Sequence, residues 1–120
     1  MNNFLLVFLG GGIGSVLRFG ISEMVKTYFK TILPIATFAS NVLSCLLLVI
    51  TINYIHQKTG DSASLKLLII TGICGGFSTF STFSFETMEL MRNGNYLISV
   101  ANILINVLVC TLIIYTLSKN

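Results

Sequence analysis

Long apolar runs separated by short polar ones organise this chain. Four such runs can be read, over about 4–20, 34–55, 65–88 and 96–117. Each is close to the ~20 residues that a helix needs to cross the hydrocarbon of a bilayer. The polar intervals 22–33, 56–64 and 89–95 are short loops between them. The pattern predicts an all-α integral membrane protein with four transmembrane helices in one domain, 1–120. The first run does not read as a signal peptide. No basic residue precedes it, and Gly10 to Gly12 lead on to Arg18 without a small-residue cleavage site.

The third run is a poor lipid-facing helix. Positions 75–84 read Gly-Gly-Phe-Ser-Thr-Phe-Ser-Thr-Phe-Ser. Each glycine costs about 1 kcal/mol against alanine in a helix. The hydroxyl side chains compete with the helical ladder for backbone groups. A broken backbone at membrane depth is tolerated only where protein buries it or water and ions reach it. This segment is therefore expected to be broken and to form the functional core. Phe77, Phe80 and Phe83 recur every third residue. They drift around an α-helix, whereas a 3₁₀ stretch stacks them along one edge. An aromatic ring has a negative face and a positive edge, so ring edges in a dry passage suit a small anion and ring faces a cation.

Composition agrees with the pattern. The chain is 54% hydrophobic and 9% charged, against roughly 25% charged residues in soluble domains. Its net charge of +3 comes from few residues at helix ends and carries no nucleic-acid signal. Cys45, Cys74 and Cys110 fall in different runs without metal-ligand spacing, and His56 is the only histidine. No nucleophile–base or paired-carboxylate set can be assembled, so an enzyme is not expected. With four spans, Lys58, Lys66 and Lys119 share one side, and Lys26, Lys30 and Arg92 the other. Arg18 tilts this balance by a single charge. The positive-inside rule then gives no preference, and insertion both ways followed by antiparallel dimerisation is the natural consequence.

Polar residues inside the runs form two stripes. Thr37, Asn41 and Ser44 share one face of the second helix, and Ser99, Asn102, Asn106 and Cys110 one face of the fourth. Asn41 offers a donor and an acceptor that can replace part of a hydration shell. The asparagines of the fourth helix fit a wet path or a helix–helix hydrogen-bond seam, and the seam is the simpler reading. Arg18 either snorkels to the interface or finds a partner. Glu86 lies at the far edge of the broken segment, within reach of freed hydroxyls or of interfacial water. Gly10-x-x-x-Gly14 and Gly11-x-x-x-Ser15 support close helix contact, within the chain or between subunits.

These residues together resemble the Fluc (CrcB) fluoride channels, over nearly the whole chain. Gly10-Gly11-x-x-Gly14-x-x-x-Arg18-Phe19 looks like the family's first-helix element, and Thr37-x-x-x-Asn41 matches the second. The run from Gly75 to Ser84, followed by Glu86, matches the long third-helix signature. The resemblance implies a dual-topology antiparallel homodimer in the bacterial plasma membrane, with two fluoride pathways. It implies that Phe80 and Phe83 contact fluoride through their ring edges. Asn41 matches the pore-lining amide, and Ser81 and Thr82 the hydroxyls at the helix break. Further candidates for the pathway or for packing are Thr37, Asn106, Cys110, Glu86 and Arg18. The resemblance also implies a structural, untransported Na⁺ at the dimer centre, held by main-chain carbonyls at Gly75 and Ser78. Ala36 and Ser44 stand where the family usually has glycine. Asn102, Asn106 and Cys110 replace its usual Ser/Thr track.

The function so implied is passive export of fluoride, which enters acidified cells as neutral HF and dissociates inside. Two other classes fit the size. A small dual-topology multidrug/proton antiporter needs a membrane-embedded glutamate in its first helix, and the first run has no acidic residue. A non-conducting assembly subunit would use the glycines and asparagines for packing alone. Fluoride flux from proteoliposomes separates the three.

Overall fold

A computed structural model describes residues 2–58, 60 and 62–118; Lys119 lies outside them. The described chain is helical almost throughout: α1 (Asn3–Tyr28), α2 (Ile35–Gln57), a first turn α3 (Ala63–Leu65), a π-helical stretch (Lys66–Cys74), α4 (Gly75–Phe77), α5 (Phe80–Arg92) and α6 (Tyr96–Leu117). Four helices, Asn3–Tyr28, Ile35–Gln57, Ala63–Arg92 and Tyr96–Leu117, are long and apolar enough to cross a membrane. The protein is thus a multi-pass membrane protein, and its third span is the interrupted one.

Two boundaries differ from the hydropathy reading. The first helix runs on to Tyr28 and takes up most of the expected loop 22–33. Its extension is polar but helical: Thr27 Oγ1 donates to the Glu23 carbonyl at 2.9 Å, and Lys26 pairs with Glu23 at 3.4 Å. Hydropathy marks only the stretch inside hydrocarbon, not where the hydrogen-bond ladder stops. Arg18 is accordingly well inside α1, not near its end. The third span continues to Arg92 rather than Met88, where Gly94 at φ 85° closes it and the Asn95 N–H returns to the Leu90 carbonyl at 2.8 Å.

The first and third spans are in backbone contact through glycines of both. A Cβ at Gly10 would strike the Leu68 carbonyl oxygen, and one at Gly14 the Ile73 carbonyl oxygen. Gly72 and Gly76, one turn apart, meet α1 at Gly10 and Gly11. The Gly10/Gly14 motif therefore packs inside the chain. Gly10→Ala and Gly14→Ala are expected to destabilise the fold by roughly 1–3 kcal/mol or more, because backbone cannot yield as a side chain does. Gly20→Ala, with nothing within 4 Å of its Cβ position, should be neutral or mildly stabilising. Thermal unfolding in detergent compares them, and equal midpoints for all three would refute the seam.

Candidate functional site

The third span breaks at two residues. Ser78 (φ −81°, ψ 157°) and Thr79 (φ −150°, ψ 123°) are extended, with helix before and after them. Phe77, Phe80 and Phe83 thus lie neither on one 3₁₀ edge nor on one α-helix: Phe77 ends α4 and Phe80 opens α5. Local and distant side chains hold the break. Thr79 Oγ1 caps α5 by accepting the Thr82 N–H at 3.1 Å. The Thr79 N–H donates to Asn41 Oδ1 at 3.0 Å. In an unbroken helix those two amides would serve the carbonyls of Ser78 and Gly75. The break therefore strips both carbonyls of their helical donors.

Neighbouring carbonyls are better supplied. Arg18 Nε donates to the Gly76 carbonyl at 3.2 Å, so Arg18 has a partner at the break and does not snorkel away. The Cys74 carbonyl accepts the Ser78 N–H at 3.0 Å, the Ser78 hydroxyl at 2.8 Å and the Ser44 hydroxyl at 3.0 Å. Ser44, where glycine would leave a gap, thus clamps the turn just before the break.

Beside the break lies an open cleft of about 260 Å³, lined by Asn41, Cys45, Ser78, Thr79, Phe80, Phe83, Asn106, Val107 and Cys110. Six candidates from the sequence meet there: Asn41, Ser78, Phe80, Phe83, Asn106 and Cys110. The two rings are tilted at 52° with centroids 5.8 Å apart. Phe83 is 7% exposed and fixed in the core, while Phe80 is 79% exposed within the single subunit.

Others stand apart from the cleft. Ser81 is exposed, its hydroxyl 3.3 Å from Thr79 Oγ1, and Thr82 contributes its amide to the cap. Thr37 is buried and faces Glu86. Glu86 Oε1 is buried without a hydrogen-bond partner among the described residues, as is Ser40 Oγ. Gly75 is exposed, with open space where a Cβ would stand. Among the described residues no cluster of three or more His, Cys, Asp or Glu side chains can hold a metal; main-chain oxygens at the break are the available hard ligands.

Sequence reasoning passed over Thr79 and Cys45. Thr79 precedes α5 by one residue and its hydroxyl caps Thr82, a helix-start signal present in the string. Cys45 follows Asn41 by one turn on the same face of α2. Val107 carries no signal that separates it from other lipid-facing residues.

The chain matches the family model described as CrcB-like protein, Camphor Resistance (CrcB), over residues 5–117. It is 40% identical over 120 residues to the fluoride-specific ion channel FluC of Serratia proteamaculans, covering 98% of this chain and 94% of that protein. Against the proteins of the same name from Azobacteroides pseudotrichonymphae and Flavobacterium psychrophilum, the identities are 41% over 108 residues and 39% over 99. These alignments cover 90% and 82% of this chain, and 86% and 80% of the relatives. In bacteria, a helical multi-pass protein of this kind resides in the plasma membrane.

Proposed function

Because the chain belongs to the CrcB family, we propose that it is a fluoride-specific channel, with no enzymatic step, through which fluoride leaves the cell passively. The observation that carries this reading is the cleft at the break in the third span. It joins two aromatic rings to the well-held amide of Asn41. The Asn41 side chain accepts from Thr79 and donates one N–H to Asn106 Oδ1 at 3.1 Å, which leaves its second N–H unshared among the described residues. A small hard anion gains from that donor and from positive ring edges. It meets no carboxylate in the lining. Leak of the anion down its gradient, aided by a negative-inside potential, lowers cytoplasmic fluoride without ATP.

A proton-coupled antiporter is not favoured. The one acidic residue of α1, Glu23, lies near its polar end and pairs with Lys26 in water. The deciding experiment is fluoride efflux from proteoliposomes holding the purified protein, with chloride as the comparison ion. Rapid fluoride loss with chloride retained is expected. Fluoride retention by well-folded protein would overturn the reading.

The working unit in this proposal is an antiparallel homodimer built from both insertion orientations. The even division of Lys and Arg between the two sides supports it. So does Phe80, whose ring is largely uncovered in one subunit. Terminal topology reporters should read from both sides of the membrane, and two lysines added within 29–33 should bias the protein one way and lower activity. A single orientation for the unmodified protein would refute dual insertion. Na⁺ completes the proposal as a structural ion at the two-fold axis, bound by the Gly75 and Ser78 carbonyls. Their loss of helical donors supports it, since main-chain oxygens suit a hard cation.

A further inference from the structure

The two asparagines of α6 do more than close a helix–helix seam. Asn106 Nδ2 donates to the main-chain carbonyl and to Oδ1 of Asn102, both at 2.9 Å. Asn102 Nδ2 donates to Thr87 Oγ1 at 2.9 Å, and Thr87 Oγ1 donates to the Phe83 carbonyl at 2.8 Å. Joined to the Asn41–Asn106 bond, these contacts form a directed chain from the Thr79 amide to Phe83. Its direction is forced at the start. The Thr79 N–H can only donate, so Asn41 must turn its oxygen to it and its nitrogen to Asn106. Asn106 must then accept at Oδ1 and pass its own N–H groups to Asn102. Both N–H groups of Asn106 are consumed in this way, and Asn106 has none to offer the cleft.

Resting on the fluoride-channel reading, we propose that Asn102 and Asn106 are positioning residues. They form a relay that locks the Asn41 amide with its one unshared N–H in the cleft. Asn106 lines the cleft with its oxygen engaged by Asn41 and its nitrogen by Asn102, and Asn102 is not in the lining. Neither is a ligand of the anion. Both act through Asn41, and the same chain anchors the main chain of Phe83. Without the relay, the Asn41 amide is held only at its oxygen by the Thr79 N–H, and its N–H groups can swing away from the cleft.

The test uses the full chain in proteoliposomes. Asn106→Leu should lower fluoride flux about tenfold or more, since a directed donor becomes a rotating one. Asn102→Leu should lower it only about threefold, because Asn106 keeps the Asn102 main-chain acceptor. The double variant should be no worse than Asn106→Leu alone, since a broken relay cannot be broken twice. Multiplied effects, or wild-type flux in Asn106→Leu, would overturn the relay. If Asn106→Leu does not assemble, the unmodified protein in lipid nanodiscs decides, with its asparagine side chains isotope-labelled for NMR. Of the two Asn41 amide protons, only the unshared one is expected to shift strongly when fluoride is added. Equal shifts of both protons, or shifts at Asn106 instead, would overturn the proposal. Absence of fluoride flux in the wild type would sink the channel reading itself. Normal wild-type flux with an indifferent Asn106→Leu sinks only the relay.

Discussion

Phe80→Ile and Phe83→Ile are each expected to cut fluoride flux by about tenfold or more while the folded protein persists. Isoleucine keeps apolar bulk but removes the polarised ring edge. Loss of about 1.5 kcal/mol of favourable contact per ring corresponds to a factor of roughly ten. The two variants also separate electrostatics from packing. Phe83 is buried, so its replacement also disturbs the core by about 1 kcal/mol. Phe80 is 79% exposed in the subunit and contributes little to that core. Flux lost in Phe83→Ile alone would mean that packing, not the ring edge, sustains conduction. Flux lost in both, with unfolding midpoints unchanged for Phe80→Ile, is the expected outcome.

Removal of Na⁺ should stop fluoride flow without any substitution. The Gly75 and Ser78 carbonyls lack the amides that an unbroken helix would give them, because Asn41 and Thr79 take those amides. Burying unpaired carbonyls at membrane depth costs several kcal/mol each. In the proposed dimer, a central cation satisfies one such pair from each subunit at once and ties the subunits together. Its loss should therefore weaken the dimer as well as the flux. Ser78→Ala should bind Na⁺ nearly as well as the wild type, since the ligand is the main chain. It should cost about 1 kcal/mol of stability through the lost bond to the Cys74 carbonyl. Prolonged exchange of Na⁺ for N-methylglucamine on both sides of the vesicle tests the ion. Full flux with Na⁺ shown to be absent would eliminate the site.

Much of this arrangement was legible in the string, and the reasons differ by feature. The four spans follow from hydropathy, since hydrocarbon leaves the backbone no alternative to helix. The break in the third span follows from Gly75, Gly76 and the hydroxyl run. Its position at Ser78–Thr79 does not. There Asn41, on another helix, wins the Thr79 amide, and a bond across 38 positions has no local signature. Arg18 illustrates the same limit. Its charge within an apolar run announces a partner or an interface, but the partner is the Gly76 carbonyl, 58 positions away. The asparagine stripe on α6 showed its face and not its direction, because periodicity reports which residues align, not which atom donates. The helical end of α1 was missed for a simpler reason: a polar helix beyond the hydrocarbon gives hydropathy nothing to detect.

The interruption at Ser78–Thr79 also divides the electrical character of the third span. An unbroken helix would carry its partial charges to the two membrane surfaces, where water screens them. Ending one helix at Phe77 and starting another at Phe80 brings two opposite poles to mid-membrane, back to back. Each is equivalent to roughly half an elementary charge. The amide-rich start of α5 is positive and borders the cleft of Phe80, Phe83 and Asn41. The carbonyl-rich end of the preceding helix is negative and includes the exposed Gly75. In a low dielectric neither pole is screened, so in the proposed channel the amide end of α5 favours an anion and the carbonyl end of the preceding helix favours the proposed cation.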